Sequence, residues 1–226
     1  MTSNQGTGAD KKFGKSLLHN PEQAFVRWGT PRIPKFIETY HLTFMTLVWS
    51  GLIILFGYLA KNDSLQWLWM VSLMIVMQYL TDLFDGAIGR KRNTGLVKWG
   101  YYMDHFLDFI FIAAYVAVGY LIAPSNMEKW YVFLLVILGA FEVNSYLTFG
   151  VTNRFQIAHY GIGPTEMRIV FIILNTLVTY TGIWHFKYTL PALCGICSVA
   201  LIYVVYRSQK ALWEMDMKIK KEQQRQ

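Results

Sequence analysis

Long apolar segments separated by short polar links make up most of this chain. Five of the segments contain no charged residue, and the fourth along the chain is interrupted only by Glu142. The six segments are residues 42–60, 64–81, 109–123, 130–150, 169–184 and 189–206. A helix that crosses a bilayer needs about 20 mostly apolar residues, and each segment reaches that length by itself or with a few flanking residues. The pattern therefore predicts an all-α integral membrane fold with six transmembrane helices.

A short amphipathic helix is predicted before the first span. Asn20 followed by Pro21 is a typical helix start with Asn20 as the N-cap, and Gly29 should end the helix. Apolar residues beside Arg27 are typical of an interfacial helix on the cytoplasmic leaflet, and an ordinary soluble cap is the alternative. The pattern as a whole predicts a disordered N-terminus, a membrane domain and a charged helical C-terminal tail, at residues 1–19, 20–206 and 207–226.

Composition and charge agree with a membrane location. Charged residues make up 15% of the chain, against about 25% in soluble domains. Of the 21 Lys and Arg residues, 18 fall in the N-terminus, the second and fourth links and the tail, while the other side holds only Lys61, Lys129 and Lys187. Positive charge marks the cytoplasmic side, so both termini are predicted to be cytoplasmic, in the inner membrane if the protein is bacterial. The net charge of +7 then indicates contact with anionic membrane lipids rather than with nucleic acid.

Four aspartates lie at the inner ends of the second and third predicted spans, where charge is costly and usually functional. On helices they form two stripes, each of which places two carboxylates and at least one glycine on a single face. The members are Asp82, Asp85, Gly86, Gly89 and Arg90 on the first helix and Gly100, Asp104 and Asp108 on the second.

If the stripes face each other, four carboxylates share one small volume and need cations between them. Oxygen ligands at this density suit Mg²⁺ or Mn²⁺. Glycines on the same faces let a ligand approach the backbone, and Arg90, Lys91 and Arg92 add positive charge at the mouth. These groups together predict phosphoryl or pyrophosphate chemistry at the cytoplasmic leaflet. A pathway for divalent cations is the alternative use of the carboxylates.

The same stretch resembles the signature of the CDP-alcohol phosphatidyltransferases, D-x-x-D-G-x-x-A-R, about eight residues, then G-x-x-x-D-x-x-x-D. The matching positions are Asp82, Asp85, Gly86, Arg90, Gly100, Asp104 and Asp108. Gly89 stands where the family usually has alanine. The link from Arg90 to Gly100 holds nine residues, so either Arg90 or Lys91 takes the place of the signature arginine.

The resemblance implies a transferase of phospholipid synthesis that moves a substituted phosphate from a CDP-linked donor to an alcohol acceptor and releases CMP. It implies Mg²⁺ or Mn²⁺ as the cofactor, with Asp82, Asp85, Asp104 and Asp108 as metal ligands. Asp108 is further implied to be the catalytic base that acts on the acceptor hydroxyl. The family resemblance also implies a homodimer.

The remaining signature residues are implied to bind the donor. Gly86, Gly89 and Gly100 would make room for the cytidine nucleotide. Arg90 or Lys91 would contact phosphate.

The sequence leaves two pairs of substrates as alternatives, one from each of two branches of the family. One branch uses CDP-diacylglycerol and a small polar alcohol, which the short chain favours. The other uses a CDP-aminoalcohol of choline or ethanolamine and a diacylglycerol, and the sequences D-H-F-L-D at 104–108 and G-P-T-E at 163–166 resemble that branch. Arg154 and Glu166 are candidate contacts to the acceptor headgroup, Arg154 for a phosphate and Glu166 for a cationic amine. A metal-dependent membrane prenyltransferase and a non-enzymatic divalent-cation transporter are the alternative functions.

Overall fold

The computed structural model describes residues 18–93, 96–152 and 164–224, and these residues form seven α-helices with no strand among them. Single turns of 3-10 helix occur at Thr30–Arg32 and Leu65–Trp67. The helices are α1 (His19–Gly29), α2 (Thr39–Asn62), α3 (Leu68–Arg92), α4 (Val97–Ile122), α5 (Glu128–Thr152), α6 (Pro164–Thr181) and α7 (Phe186–Gln223). The all-α prediction is therefore confirmed.

Five of these segments are long and apolar enough to cross a membrane, which fits an integral membrane protein. They are Thr39–Asn62, Leu65–Arg92, Lys98–Ile122, Glu128–Thr152 and Phe186–Gln223. Helix α6 is not among them, because its 18 residues include the polar groups of Glu166, Arg168 and Asn175.

The fifth predicted span is displaced relative to the helix that forms. The apolar segment 169–184 needs two flanking residues, His185 and Phe186, to reach spanning length, whereas α6 covers Pro164–Thr181. Gly182, with a φ of +74°, follows the end of α6, and Phe186 belongs to α7. Helix α6 therefore begins with a polar turn that the apolar pattern did not include.

The start of α1 also differs from the prediction. The helix begins at His19 with Leu18 in the capping position and no side-chain cap, so Asn20 lies inside the helix and its predicted capping role is wrong. A reciprocal capping box occurs instead at α2, where the Glu38 side chain and the His41 side chain each bond to the other's backbone. The N–H of Glu38 donates to His41 Nδ1 at 3.0 Å. The end of α1 at Gly29 agrees with the prediction.

Contacts between helix ends show that the spanning helices alternate in direction. Thr43, near the start of α2, bonds to Asp85 in the last third of α3. Tyr146, near the end of α5, donates to the carbonyl of His105 near the start of α4 at 3.0 Å. Arg168, near the start of α6, reaches α3 as well. These contacts place the candidate residues at one end of the bundle, called the polar end below.

The rest of the bundle has an apolar core built mainly from α2, α3 and α4. Ile53, Leu68, Ile75 and Val118 are at most 1% exposed. A methyl group added at Gly57 would lie 2.5 Å from a Val118 methyl, so glycine allows α2 and α4 to approach closely. Small residues serve this purpose in membranes because lipid provides no hydrophobic driving force between helices.

Helix α6 is joined to the bundle by buried hydrogen bonds. The Asn175 amide donates to Ser72 Oγ of α3 at 3.0 Å. The Tyr115 hydroxyl of α4 donates to Asn175 Oδ1 at 3.2 Å. These bonds fix the rotation of α6 about its axis, and Arg168 lies on the same buried face seven residues before Asn175.

Helix α7 continues without a break from the last apolar segment into the basic tail and ends at Gln223. Residues 1–17, most of the N-terminal segment predicted to be disordered, lie outside the described residues.

Candidate active site

The two predicted stripes face each other at the polar end. Asp82 and Asp85 lie on α3, and Asp104 and Asp108 lie on α4. The Asp104 carboxyl is within hydrogen-bonding reach of Asp82 and is electrostatically close to Asp108 and Asp85. The structure thus brings the four carboxylates into one cluster, which is called the aspartate cluster below.

A buried arginine lies within this cluster. Arg168 Nη2 is 2.9 Å from Asp82 Oδ2 and 3.5 Å from Asp108 Oδ1. The arginine side chain is 6% exposed, against 25% for Asp82 and 23% for Asp108. Arg168 Nε donates to Gln78 Oε1 at 2.8 Å. One guanidinium from α6 therefore links a carboxylate of α3 to a carboxylate of α4.

Asp85 is the most buried of the four aspartates and is held from a third helix. Thr43 Oγ1 of α2 donates to Asp85 Oδ2 at 2.7 Å. The residue is 6% exposed, and its Oδ1 has no hydrogen-bond partner among the described residues. A buried carboxylate oxygen without a partner carries a large desolvation cost, and a bound cation would remove that cost.

The residues present fit a divalent cation. Asp104, His105 and Asp108 can each offer one ligand atom, and these three atoms lie within 4.8 Å of one another. Asp82 and Asp85 are outside this compact group. Carboxylate oxygens suit Mg²⁺ and Mn²⁺, and the unpartnered oxygen of Asp85 offers a further hard ligand in the same cluster.

The glycines and the basic residues of α3 border the cluster. Gly86 is exposed, and Arg90 Nη1 lies 3.2 Å from where a Cβ of residue 86 would be. Gly89 is partly exposed, while nothing lies within 4 Å of a Cβ built at Gly100. The Arg90 guanidinium thus lies beside Gly86, and Arg90 and Lys91 are both exposed.

Arg92 does not join the positive charge at the mouth as its sequence position had suggested. Its guanidinium donates to the carbonyls of Ile37 and Pro34 and lies 3.7 Å from a Glu38 carboxylate oxygen. Arg92 therefore secures the segment between α1 and α2. The structure leaves Arg90 and Lys91 as the basic candidates of this helix end.

Of the two predicted headgroup contacts, only Glu166 lies among the described residues. Arg154 lies outside the described residues. Glu166 is half-buried in the first turn of α6, next to Thr165. Thr165 Oγ1 donates to Glu22 of α1 at 2.6 Å, and the Tyr79 hydroxyl of α3 donates to the same carboxylate oxygen at 3.0 Å. Helix α1 is thereby attached beside the aspartate cluster.

Sequence reasoning missed Thr43, Gln78 and Arg168. Arg168 had been counted only as cytoplasmic positive charge, yet it is buried among carboxylates. Two signals could have revealed it. Pro164 suits the first position of a helix, so a helix that begins there includes Arg168 in its first turns. The polar residues Arg168 and Asn175 are then spaced by seven and share one face.

Comparisons with known proteins agree with the signature. The family model described as CDP-alcohol phosphatidyltransferase matches residues 36–210, which include the aspartate cluster and Arg168. Cholinephosphotransferase 1 of Danio rerio is 24% identical over 196 residues, covering 80% of this chain and 48% of the relative. Cholinephosphotransferase 1 of Bos taurus is 26% identical over 188 residues, covering 80% of this chain and 45% of the relative. The chain spans about half the length of these curated relatives. Since the family model covers most of its residues, the chain belongs to the CDP-alcohol phosphatidyltransferase family.

Proposed function

We propose that this protein is a divalent-metal-dependent transferase of phospholipid synthesis. It moves a substituted phosphate from a CDP-linked donor to an alcohol and releases CMP. The observation that carries this proposal is the convergence of carboxylates from α3 and α4 at one end of the bundle, within the residues matched by the family model. Arg168 contacts both Asp82 and Asp108 there, and ligand atoms of Asp104 and Asp108 lie within 4.8 Å of each other.

The proposed roles follow the chemistry of the side chains. Asp82, Asp85, Asp104 and Asp108 would hold the divalent ions, whose chemistry would be to neutralise the charge of the pyrophosphate. Asp108 takes the proton from the acceptor hydroxyl. As that proton leaves, the acceptor oxygen bonds to the donor phosphorus distal to cytidine, and the bond from this phosphorus to the departing CMP oxygen breaks.

The donor is held on the α3 side of the cluster. Exposed Gly86 and partly exposed Gly89, together with Gly100, allow the nucleotide to approach the helix backbone. Arg90 binds phosphate, because its guanidinium already lies over Gly86. Lys91 is the alternative phosphate ligand.

For the substrates we propose a CDP-aminoalcohol donor and a diacylglycerol acceptor. Two cholinephosphotransferases are similar to this chain along 80% of its length, and the sequences at 104–108 and 163–166 agree with that branch. Glu166, predicted to contact a cationic amine of the acceptor headgroup, then binds the amine of the donor, because diacylglycerol carries no amine. CDP-diacylglycerol with a small polar alcohol is the alternative pair, for which Arg154 would bind an acceptor phosphate.

The proposed setting is a membrane domain with six spans, in which α6 crosses the membrane in addition to the five apolar candidates. The buried bonds of Asn175 and Arg168 would shield its polar groups from lipid. Helix α1 lies on the cytoplasmic leaflet, both termini are cytoplasmic and the active site opens to that side. We further propose that the protein works as a homodimer.

The test of the proposed function is CMP release by purified protein in detergent with Mn²⁺. CDP-choline, CDP-ethanolamine and CDP-diacylglycerol are supplied in turn, each with diacylglycerol or with small polar alcohols. We expect CMP only when an aminoalcohol donor and diacylglycerol are both present. CMP with CDP-diacylglycerol alone among the donors assigns the other branch, and folded protein that forms no CMP with any pair contradicts the function.

The family match favours the proposed transferase over the prenyltransferase and the cation transporter. A prenyltransferase would bind a prenyl pyrophosphate instead of a cytidine nucleotide, so competition between these ligands in the same assay separates them. A cation path through the cluster would be obstructed by Arg168, whose positive charge lies among the carboxylates.

Substitution of Gly86 tests the approach of the nucleotide to α3. We expect Gly86→Ala to raise the donor KM by roughly tenfold or more, since one added carbon in a close-fitting site costs about 1–3 kcal/mol. The fold should tolerate the change, because the nearest atom to the new Cβ is the end of the flexible Arg90 side chain at 3.2 Å. Donor KM is measured from initial rates of CMP release.

Gly51→Ala is the matched control, since nothing lies within 4 Å of a Cβ at this α2 glycine. It should leave the donor KM unchanged. Equal donor KM values for both variants and the parent protein would show that the donor does not approach Gly86.

A further inference from the structure

Arg168 is held in place by groups other than the aspartates. Its Nε donates to Gln78 Oε1, and Gln78 is fully buried. Its guanidinium carbon lies 5.6 Å from the centre of the Phe111 ring and 5.9 Å from that of Tyr79, within cation–π range. Contacts from α3 and α4 thus fix the guanidinium independently of the carboxylates that it binds.

The guanidinium contacts one oxygen of each of two carboxylates. Nη2 lies 2.9 Å from Asp82 Oδ2 and 3.5 Å from Asp108 Oδ1. Because the two oxygens of a carboxylate point in different directions, holding one of them sets the direction of the other. A single anchored group therefore determines the orientation of a carboxylate on each of the two helices.

We propose that Arg168 is a positioning residue for the divalent ions. It stays paired with Asp82 and Asp108 while the ions bind, and it turns the second oxygen of each carboxylate toward them. Groups that hold metal ligands in this way commonly change metal affinity by about 10- to 100-fold when they are removed. This inference rests on the proposed function, because it takes the aspartate cluster as the set of metal ligands.

Charge alone would lead to the opposite expectation. An arginine among carboxylates neutralises them and competes with a divalent ion for the same oxygens, so that its loss would tighten metal binding. The anchoring contacts favour the positioning role, because Gln78, Tyr79 and Phe111 keep the guanidinium on one side of the two carboxylates. The sign of the change in metal affinity therefore separates positioning from competition.

The experiment is Mn²⁺ binding to the purified full chain, with the free ion followed by electron paramagnetic resonance in the absence of any nucleotide. We expect Arg168→Gln to weaken Mn²⁺ binding by about 10- to 100-fold. Arg168→Lys should recover only part of the loss, since an ammonium lacks the rigid fork of donors that reaches Gln78 and both carboxylates together. Arg207→Gln removes an exposed arginine of α7 that bonds to Tyr203, and it should bind Mn²⁺ like the parent protein.

Gln78→Met provides a second variant in case Arg168→Gln does not fold. It removes the anchor of Arg168 but retains the arginine itself, and it deletes a buried amide nitrogen that has no hydrogen-bond partner within the described part of the chain. We expect weaker Mn²⁺ binding here too, by less than in Arg168→Gln. Size-exclusion chromatography and thermal unfolding establish which variants are folded.

The possible results decide the proposal. Weaker Mn²⁺ binding in folded Arg168→Gln, or in Gln78→Met if the first variant is lost, supports the positioning role. Unchanged binding in these variants reduces Arg168 to a packing residue, and tighter binding shows competition with the metal; either overturns the proposal. Because the measurement uses no donor, it is independent of CMP release. A protein that binds Mn²⁺ as expected but forms no CMP contradicts the proposed function only.

Discussion

Asp108→Asn is expected to lower kcat for CMP release by roughly 100- to 10,000-fold, which is the usual contribution of a general base. The amide cannot take the proton from the acceptor hydroxyl, so the attacking oxygen remains a poor nucleophile. The substitution keeps the size of the side chain, and Asn Oδ1 can still accept from Arg168 Nη2, which lies 3.5 Å from Asp108 Oδ1. Donor binding should therefore be retained in part. Initial rates at saturating donor, together with equilibrium binding of the donor, measure the two effects.

The matched control for this variant is Asp216→Asn on the exposed tail of α7. It makes the same chemical change far along the chain from the cluster and should leave kcat at the parent value. If Asp108→Asn keeps the parent kcat at saturating donor while its donor KM rises strongly, Asp108 does not act as the base and contributes only to binding.

Removal of divalent ions is expected to abolish turnover. A bound metal provides several kcal/mol of transition-state stabilisation, and each 1.36 kcal/mol corresponds to a factor of about ten in rate. Dialysis against a chelator should thus reduce CMP release on the order of 1000-fold, and added Mn²⁺ or Mg²⁺ should restore it. The measurement is the rate of CMP release as a function of free metal concentration.

Asp85→Asn tests whether Asp85 is one of the ligands of the metal that CMP release requires. The buried Oδ1 of Asp85 has no hydrogen-bond partner among the described residues, while Oδ2 accepts from Thr43. An asparagine keeps an oxygen for Thr43 but loses the charge, so a higher Mn²⁺ concentration should be needed for half-maximal rate. Glu214→Gln, on the exposed face of α7, should follow the parent curve. Undiminished CMP release after chelation would contradict a metal-dependent reaction.

The carboxylate stripes could be predicted from sequence because they are local. Asp82 and Asp85 are three residues apart and Asp104 and Asp108 are four apart, so the helical repeat alone places each pair on one face. The two helices are consecutive, and consecutive elements usually pack together. Thr43 and Arg168 reach the site from other helices, 42 residues from Asp85 and 86 residues from Asp82 along the chain. The periodicity within a single segment does not show which neighbouring helix such residues face.

Arg168 illustrates why the remainder was not predicted. A basic residue just before an apolar segment fits the excess of positive charge on the cytoplasmic side. The same residue could equally form a buried ion pair. The choice depends on the rotation of α6, which the buried bonds of Asn175 to Ser72 and Tyr115 fix. The predicted start of α1 was wrong. The helix begins at His19, so Asn20 lies inside it and does not cap it.

The described groups of the candidate site all lie at the polar end, while α2 and α4 meet closely at Gly57 and Val118 farther along the bundle. A lipid product formed at this end would be delivered to a single leaflet. Each turnover would then convert a lipid already in the membrane into a product whose phosphate headgroup faces that side only. Supply of the product to the other leaflet therefore requires a separate process that moves lipids across the bilayer, and in closed vesicles the reaction alone would leave the new headgroup on one side.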